Sequence, residues 1–212
     1  MRRRVWAAGI LAAAIVGTGT GLLAVELHRS AAQPAAAAGV PPPPASFPAG
    51  KRRAPDFRLV DENGRRLTLS QFRGRPVIVT FIDPLCRNYC PLEAQQLNAL
   101  VHRLPAGSRP AIVAVSVNVD GNARANLLED AAKWHLVPQW HWGIGGRAPL
   151  AAVWRKYGIG VSVATRKIAG VTVHDVSHTE AAYVIDAKGF ERALFLWPFR
   201  AGDVQAALAR IA

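Results

Sequence analysis

Two short runs constrain this chain more than anything else in it. Residues 76–82, with Val77, Ile78, Val79, Phe81 and Ile82, and residues 111–117, with Ile112, Val113, Val115 and Val117, are almost continuously apolar and rich in β-branched side chains. A strand that is apolar on both faces must be covered on both faces. Between the runs, from Pro91 onward, Leu92, Leu97, Leu100 and Val101 recur at helical spacing. Further helical stretches follow at 127–135, 148–157 and 201–212. Residues 181–186 and 190–196 read as two strands joined by a turn at Asp186 to Gly189. Strand and helix signals that alternate in this way predict an α/β sheet with helices packed against it. An entry strand at 54–59 and a segment at 67–72 precede it, with a turn at Asp61 to Gly64 between them. Residues 161–175 show no clean period and read as a long excursion or hairpin.

The chain has 212 residues, and the globular part runs over 54–212. Residues 1–29 are an N-terminal transmembrane anchor or signal peptide. Arg2, Arg3 and Arg4 precede an uncharged run of 21 residues from Val5 to Val25, long enough to span a bilayer. The arginines stay on the cytoplasmic side and place the rest outside, so the expected location is the cell membrane, single-pass, or secretion if the segment is cleaved. Residues 30–53 are an Ala/Pro-rich linker, with Pro41 to Pro44 consecutive, a composition that favours extended polyproline II. The formal charge is +12, and about +9 remains once Arg2 to Arg4, Glu26 and Arg29 are set aside. For an exported chain that charge points to an anionic membrane surface or an acidic protein face, and away from nucleic acid.

Only two cysteines occur, Cys86 and Cys90, one helical turn apart and followed directly by Pro91. A structural disulfide there would close almost no loop and so stabilise little. Sulfurs at i and i+4 on one helix face can point at a common spot. A helix N-terminus beside them stabilises thiolate charge. His178 lies 88 residues beyond Cys90, and two thiols with one imidazole form a ligand set for copper, Cu(I) or Cu(II). A reversible Cys86–Cys90 disulfide, a redox switch, is the other chemistry open to the pair.

The order of elements resembles a thioredoxin-like fold with a central mixed sheet and an N-terminal β-hairpin. Within it, Cys86-Arg87-Asn88-Tyr89-Cys90-Pro91 resembles the Cys-x-x-x-Cys-Pro signature of the SCO/SenC copper chaperones. His178-Thr179, followed by Tyr183-Val184-Ile185-Asp186 and Gly189, resembles that family's distal histidine segment, and Ser116-Val117-Asn118-Val119-Asp120 its strand-end stretch. The resemblance implies copper held by Cys86, Cys90 and His178. It also implies copper delivery, cysteine reduction or both in assembly of the CuA centre of cytochrome c oxidase, with the CuA-bearing subunit as partner. That role is a metallochaperone's rather than that of an enzyme acting on a small molecule. The chain departs from the family in Arg87-Asn88-Tyr89 between the cysteines, in Ser177 before the histidine and in Asn118. Arg87 both favours thiolates and opposes a bound cation.

The alternative is an exported thiol-disulfide oxidoreductase of the thioredoxin class, with Cys86 and Cys90 as its redox pair, although such enzymes use one residue fewer between the sulfurs. Cys90-Pro91-Leu92-Glu93 also mimics a peroxidatic Cys-Pro-x-Glu, but the activating hydroxyl is missing: Arg87 or Asp83 stands in its place. Asp83 and Pro84 shape the site entrance, and Pro91 sets the helix start. His174 and Asp175 read as a solvent-facing loop pair. His102, His135 and His141 have no paired ligand nearby and read as structural or surface residues. Trp134, Trp140, Trp142 and Trp154 read as core.

Overall fold

A computed structural model describes residues 45–211. The anchor expected over residues 1–29 and most of the linker lie outside the described residues. Among the described residues, no helix is long and apolar enough to cross a membrane.

The two apolar runs form the centre of the sheet. Strands β4 (Val77–Ile82) and β5 (Ala111–Ser116) pair in parallel, and every residue of both is buried. Alternate side chains enter opposite layers. Val77, Val79 and Phe81 pack with Leu150, Val153, Trp154 and Tyr157, while Ile78 packs with Leu97, Leu100, Val204 and Leu208. Four helices supply these layers: α1 (Tyr89–Arg103), α2 (Arg124–Lys133), α3 (Arg147–Tyr157) and α4 (Ala201–Ala209). Helix α3 ends on Gly158, whose φ of 67° is the left-handed conformation a helix stop uses.

The sheet has six strands in the order β1–β10–β9–β4–β5–β6, where β1 is Ala45–Ser46, β6 Trp140–Gly143, β9 Ala181–Ile185 and β10 Glu191–Leu196. It is mixed: β4, β5 and β6 are mutually parallel, whereas β9 runs antiparallel to β4 and β10 antiparallel to β9. This is the expected α/β architecture. The entry hairpin is shorter than the expected strands, β2 (Arg58–Val60) with β3 (Arg66–Thr68), and it forms a separate two-stranded sheet. Leu59 and Leu67 turn into the core, and Val60 bonds to Ile144 beyond β6.

Two stretches of this sheet differ from the sequence expectation. Ala45–Ser46, within the stretch assigned to the linker, pairs with Leu194 and Ala193 as an edge strand. Such a strand needs only main-chain partners, which composition does not reveal. The aromatic segment at 140–143 is a third parallel strand. Trp134, Trp142 and Trp154 are buried, and Trp140 is half-buried with its Nε1 donating to Asn98 on α1 at 2.8 Å.

The excursion after α3 is a regular hairpin, β7 (Val161–Ile168) with β8 (Val171–His178), paired over its whole length and largely exposed. A two-residue turn of Ala169 and Gly170, both at positive φ, closes it, the geometry whose twist matches the strands on either side. His174 and Asp175 are therefore strand residues rather than loop residues. Asp175 pairs with Arg166 across the hairpin, and His174 Nδ1 lies 2.8 Å from Asp120 Oδ2, tying the hairpin to the segment after β5.

Candidate metal centre

Strand β4 ends at Ile82, and the chain turns immediately to reach the cysteines. Asp83 makes the turn: its carbonyl accepts the Cys86 N–H at 3.0 Å and its Oδ1 accepts the Leu85 N–H at 2.8 Å. Pro84 and Leu85 rest against Gly121, where an added Cβ would lie 2.9 Å from Pro84 Cβ. Helix α1 then opens at Tyr89, with Asn88 as its cap accepting from the Tyr89 N–H at 2.8 Å.

The sequence placed both cysteines at or just before a helix start and on one helix face. Only Cys90 is helical; Cys86 sits in the loop. What joins the sulfurs is the backbone at the helix start, where the Cys90 N–H donates to Cys86 Sγ at 3.4 Å. As a thiol, Cys86 Sγ also donates to Asn88 Oδ1 at 2.9 Å. Both cysteines are free. The Cys90 thiol and the neighbouring main-chain N–H groups stabilise the Cys86 thiolate, which holds that group down to about 5. Cys90 is fully buried and pushed the opposite way by its bond to Cys86 and by desolvation. Cys86 is thus the accessible nucleophile and Cys90 the shielded, protonated partner.

Opposite the cysteines stands the end of β8. His178 is its last residue, and the next residue clamps it in place: Thr179 N–H donates to Gly160 O at 2.9 Å, and Gly160 N–H donates to Thr179 Oγ1 at 3.2 Å. His178 Nδ1 lies 3.2 Å from Thr179 O. That contact assigns the proton to Nδ1 and leaves the Nε2 lone pair free. Nε2 is 4.0 Å from Cys90 Sγ. Burial lowers the pKa of His178 and keeps the ring in its neutral, metal-ligating form. The structure thus brings His178 to Cys90, while Cys86, bonded through its sulfur to the Cys90 N–H, lines the same cleft as His178 but lies outside the close cluster that His178 and Cys90 form. His178-Thr179 lies one residue before β9, and His178 faces Cys90, in keeping with the place that the thioredoxin-like order gave it.

The site also holds residues that sequence reasoning did not place there. Donor atoms of Cys90, His178 and Glu180 all lie within 4.8 Å of one another. Glu180 is half-buried, and burial together with the Cys86 charge raises its pKa to about 7. Its position two residues after His178 was the available signal. Glu93, noted only as part of a peroxidase-like pattern, is fully buried on α1 and hydrogen-bonded to Thr80 of β4. Burial raises its pKa to about 8, the Thr80 bond opposes this, and the charges of Glu180 and Cys86 add to it. His102, His135 and His141 are not among the residues that line the cleft.

Arg87 does not face the sulfurs. Its Nη1 donates to Pro84 O at 3.0 Å and Cys86 O at 2.9 Å, and it pairs with the buried Asp130 of α2 at 3.3 Å. Neither consequence expected of its charge therefore falls on the sulfurs. The cleft at the cysteines measures about 360 Å³ and is lined by Asp83, Cys86, Asn88, Tyr89, Val176, Ser177, His178 and Glu180. Although the chain carries 26 Lys and Arg, none is among the lining residues. Thiolate, imidazole and carboxylate donors in a cleft without a cation make a fitting seat for a soft or borderline metal ion.

Comparison with known proteins bears on the fold and the family. The described fold is similar to Bradyrhizobium japonicum ScoI with copper bound, at 19% identity and a TM-score of 0.65, covering 76% of this chain and 99% of that one. It is similar to yeast Sco1 with copper bound, at 18% identity and a TM-score of 0.66, covering 75% and 87%. It is also similar to BsSco, a cytochrome c oxidase assembly protein in which a disulfide switch was identified, at 17% identity and a TM-score of 0.59, covering 81% and 96%. No curated protein sequence matches the chain significantly. At these identities the structural likeness speaks for the fold. The family rests on a separate finding: residues 47–212, the whole sheet but its first edge strand, match the model of SCO1/SenC, and the chain belongs to that family.

Proposed function

We propose that this protein binds copper through Cys86, Cys90 and His178 and acts in assembly of the CuA centre of cytochrome c oxidase, delivering the metal, reducing the recipient's cysteines, or both. Residues 1–29 hold it in the cell membrane with the domain on the extracytoplasmic side. The observation that carries the reading is the 4.0 Å approach of His178 Nε2 to Cys90 Sγ, across 88 residues of chain, in a cleft lined by no Lys or Arg. Two thiolates and one neutral imidazole suit Cu(I) in three-fold coordination and tolerate Cu(II). Family membership and the copper bound by ScoI and Sco1 support it.

The test is copper titration of the full chain and of Cys86→Ala, Cys90→Ala and His178→Ala, against a competing chelator. Each variant is expected to lose at least about tenfold in affinity, with a changed spectrum. A His178→Ala variant that bound as tightly and with the same spectrum would refute the three-ligand site.

One observation favours thiol exchange as a second activity, namely the accessible, low-pKa Cys86 beside a protonated Cys90. The Cys86 thiolate attacks a recipient's disulfide, giving a mixed disulfide and one recipient thiolate. Cys90 then loses its proton and attacks the Cys86 sulfur. The second recipient thiolate leaves, and this chain is left oxidised by two electrons. Robust reduction of a disulfide substrate by His178→Ala would make this activity independent of the metal site.

A further inference from the structure

We infer that Glu180 is an oxygen ligand of this site, adding a fourth donor that favours Cu(II) and leaving Cu(I) to the sulfurs and His178. The inference rests on the copper reading above. A carboxylate oxygen of Glu180 lies within 4.8 Å of both Cys90 Sγ and the His178 ring nitrogen. The carboxylate makes no hydrogen bond and no ion pair among the described residues. The other acid lining the cleft, Asp83, is already engaged through Oδ1 by the Leu85 N–H. A half-buried carboxylate without a partner is unfavourable, and a metal cation held by its neighbours relieves that.

The backbone beneath Glu180 is fixed. Its carbonyl accepts the Trp197 N–H at 3.1 Å. The next residue, Ala181, pairs with Leu196 and accepts from Thr80 Oγ1 at 3.2 Å. The oxygen is therefore presented from the start of a central strand rather than from a free loop, as a preorganised ligand requires. Two sulfurs, one nitrogen and one oxygen complete the four donors of a tetragonal Cu(II) site, whereas soft Cu(I) gains little from a carboxylate.

The experiment loads the full chain with Cu(II) for electron paramagnetic resonance, and separately with Cu(I) under anaerobic competition, for wild type, E180Q, E180D and H178A. E180Q is expected to weaken Cu(II) about 10–100-fold and change the copper hyperfine pattern, with Cu(I) affinity unchanged. E180D, which keeps an oxygen donor, should restore part of the pattern. An unchanged Cu(II) spectrum in E180Q overturns the assignment. So does equal weakening of both oxidation states with the hyperfine pattern intact, the mark of a charge acting through space. If H178A loses copper while E180Q loses nothing, the Glu180 assignment alone fails. If neither loses copper, the copper reading fails with it.

Discussion

Replacing Cys90 by Ala tests whether the buried thiol is what makes Cys86 a thiolate. In the metal-free reduced protein Cys86 titrates at about 5, and the largest cause is its bond from Cys90, ahead of the main-chain N–H groups of Cys90, Asn88 and Tyr89. Without that donor the group moves toward the ~8.5 of a free thiol. In the limit of full return, the thiolate fraction at pH 6 falls from about 90% to about 0.3%, roughly 300-fold. Reaction rate is nevertheless a poor measure. A thiolate of higher pKa is the better nucleophile, and a Brønsted slope of about 0.45 returns roughly 40-fold of that loss. The alkylation rate at pH 6 would then fall only about tenfold. The inflection of the rate–pH profile moves by the whole shift and is the quantity to read, in wild type and in Cys90→Ala with a chelator present. An inflection that stays near 5 in Cys90→Ala would refute the reasoning and assign the thiolate to the backbone N–H groups alone.

Two further substitutions probe the frame under the site. Glu93 titrates at about 8 in the folded protein against 4.5 when unfolded, because it is buried. Between those values the folded state holds more protons, so stability falls as pH rises from 4.5 to about 8. Glu93→Gln, a neutral isostere, should remove much of that slope. In urea denaturation it should exceed wild type by roughly 2–4 kcal/mol at pH 8 and match it at pH 4.5, on a background slope common to both proteins in which Glu180 and Asp130 act in the same sense as Glu93 and the depressed Cys86 thiol in the opposite sense; parallel curves for the two proteins would dismiss the argument. At Gly121 an added methyl would meet Pro84 Cβ at 2.9 Å and Leu85 Cγ at 3.1 Å. Gly121→Ala should therefore cost about 1–3 kcal/mol in overpacking and also displace the inflection of Cys86, since the same loop carries that residue. A normal denaturation midpoint together with an unmoved inflection would show that the contact does not position the site.

Arg87 illustrates how an unusual residue can be neutral for the chemistry beside it. Read from its neighbours in the chain, it lies between the two cysteine sulfurs and adds a positive charge there. In the fold it turns away to Asp130 and two loop carbonyls. Asp130 is nearly fully buried, and although burial raises its pKa to about 6, the Arg87 charge pulls the other way. The pair fastens the cysteine loop to α2. The cleft itself keeps its negative character from Cys86, Asp83 and Glu180.

Much of this protein could be read from local pattern. The runs at 76–82 and 111–117 are buried strands because, apart from the hydrogen-bonded Thr80 and Ser116, their side chains are apolar on both faces. The helical periodicities fall where helices stand, since an apolar stripe has to be covered. Cys86, Cys90 and His178 announced themselves by residue type, by spacing and by the order of elements around them. What local pattern could not contain is direction. Trp140–Gly143 is a strand because β5 offers it a parallel edge, and its aromatic residues carry no period of their own. Cys86 meets Cys90 through a loop and a main-chain N–H rather than along a helix face, since Asp83 and Asn88 spend their hydrogen bonds ending the turn and capping the helix. Glu180 comes within reach of Cys90 and His178 because the link between β8 and β9 carries it there, and Arg87 leaves because a buried carboxylate 43 residues away attracts it. Periodicity records whether a side chain is buried; which distant group it meets is decided only when the sheet closes.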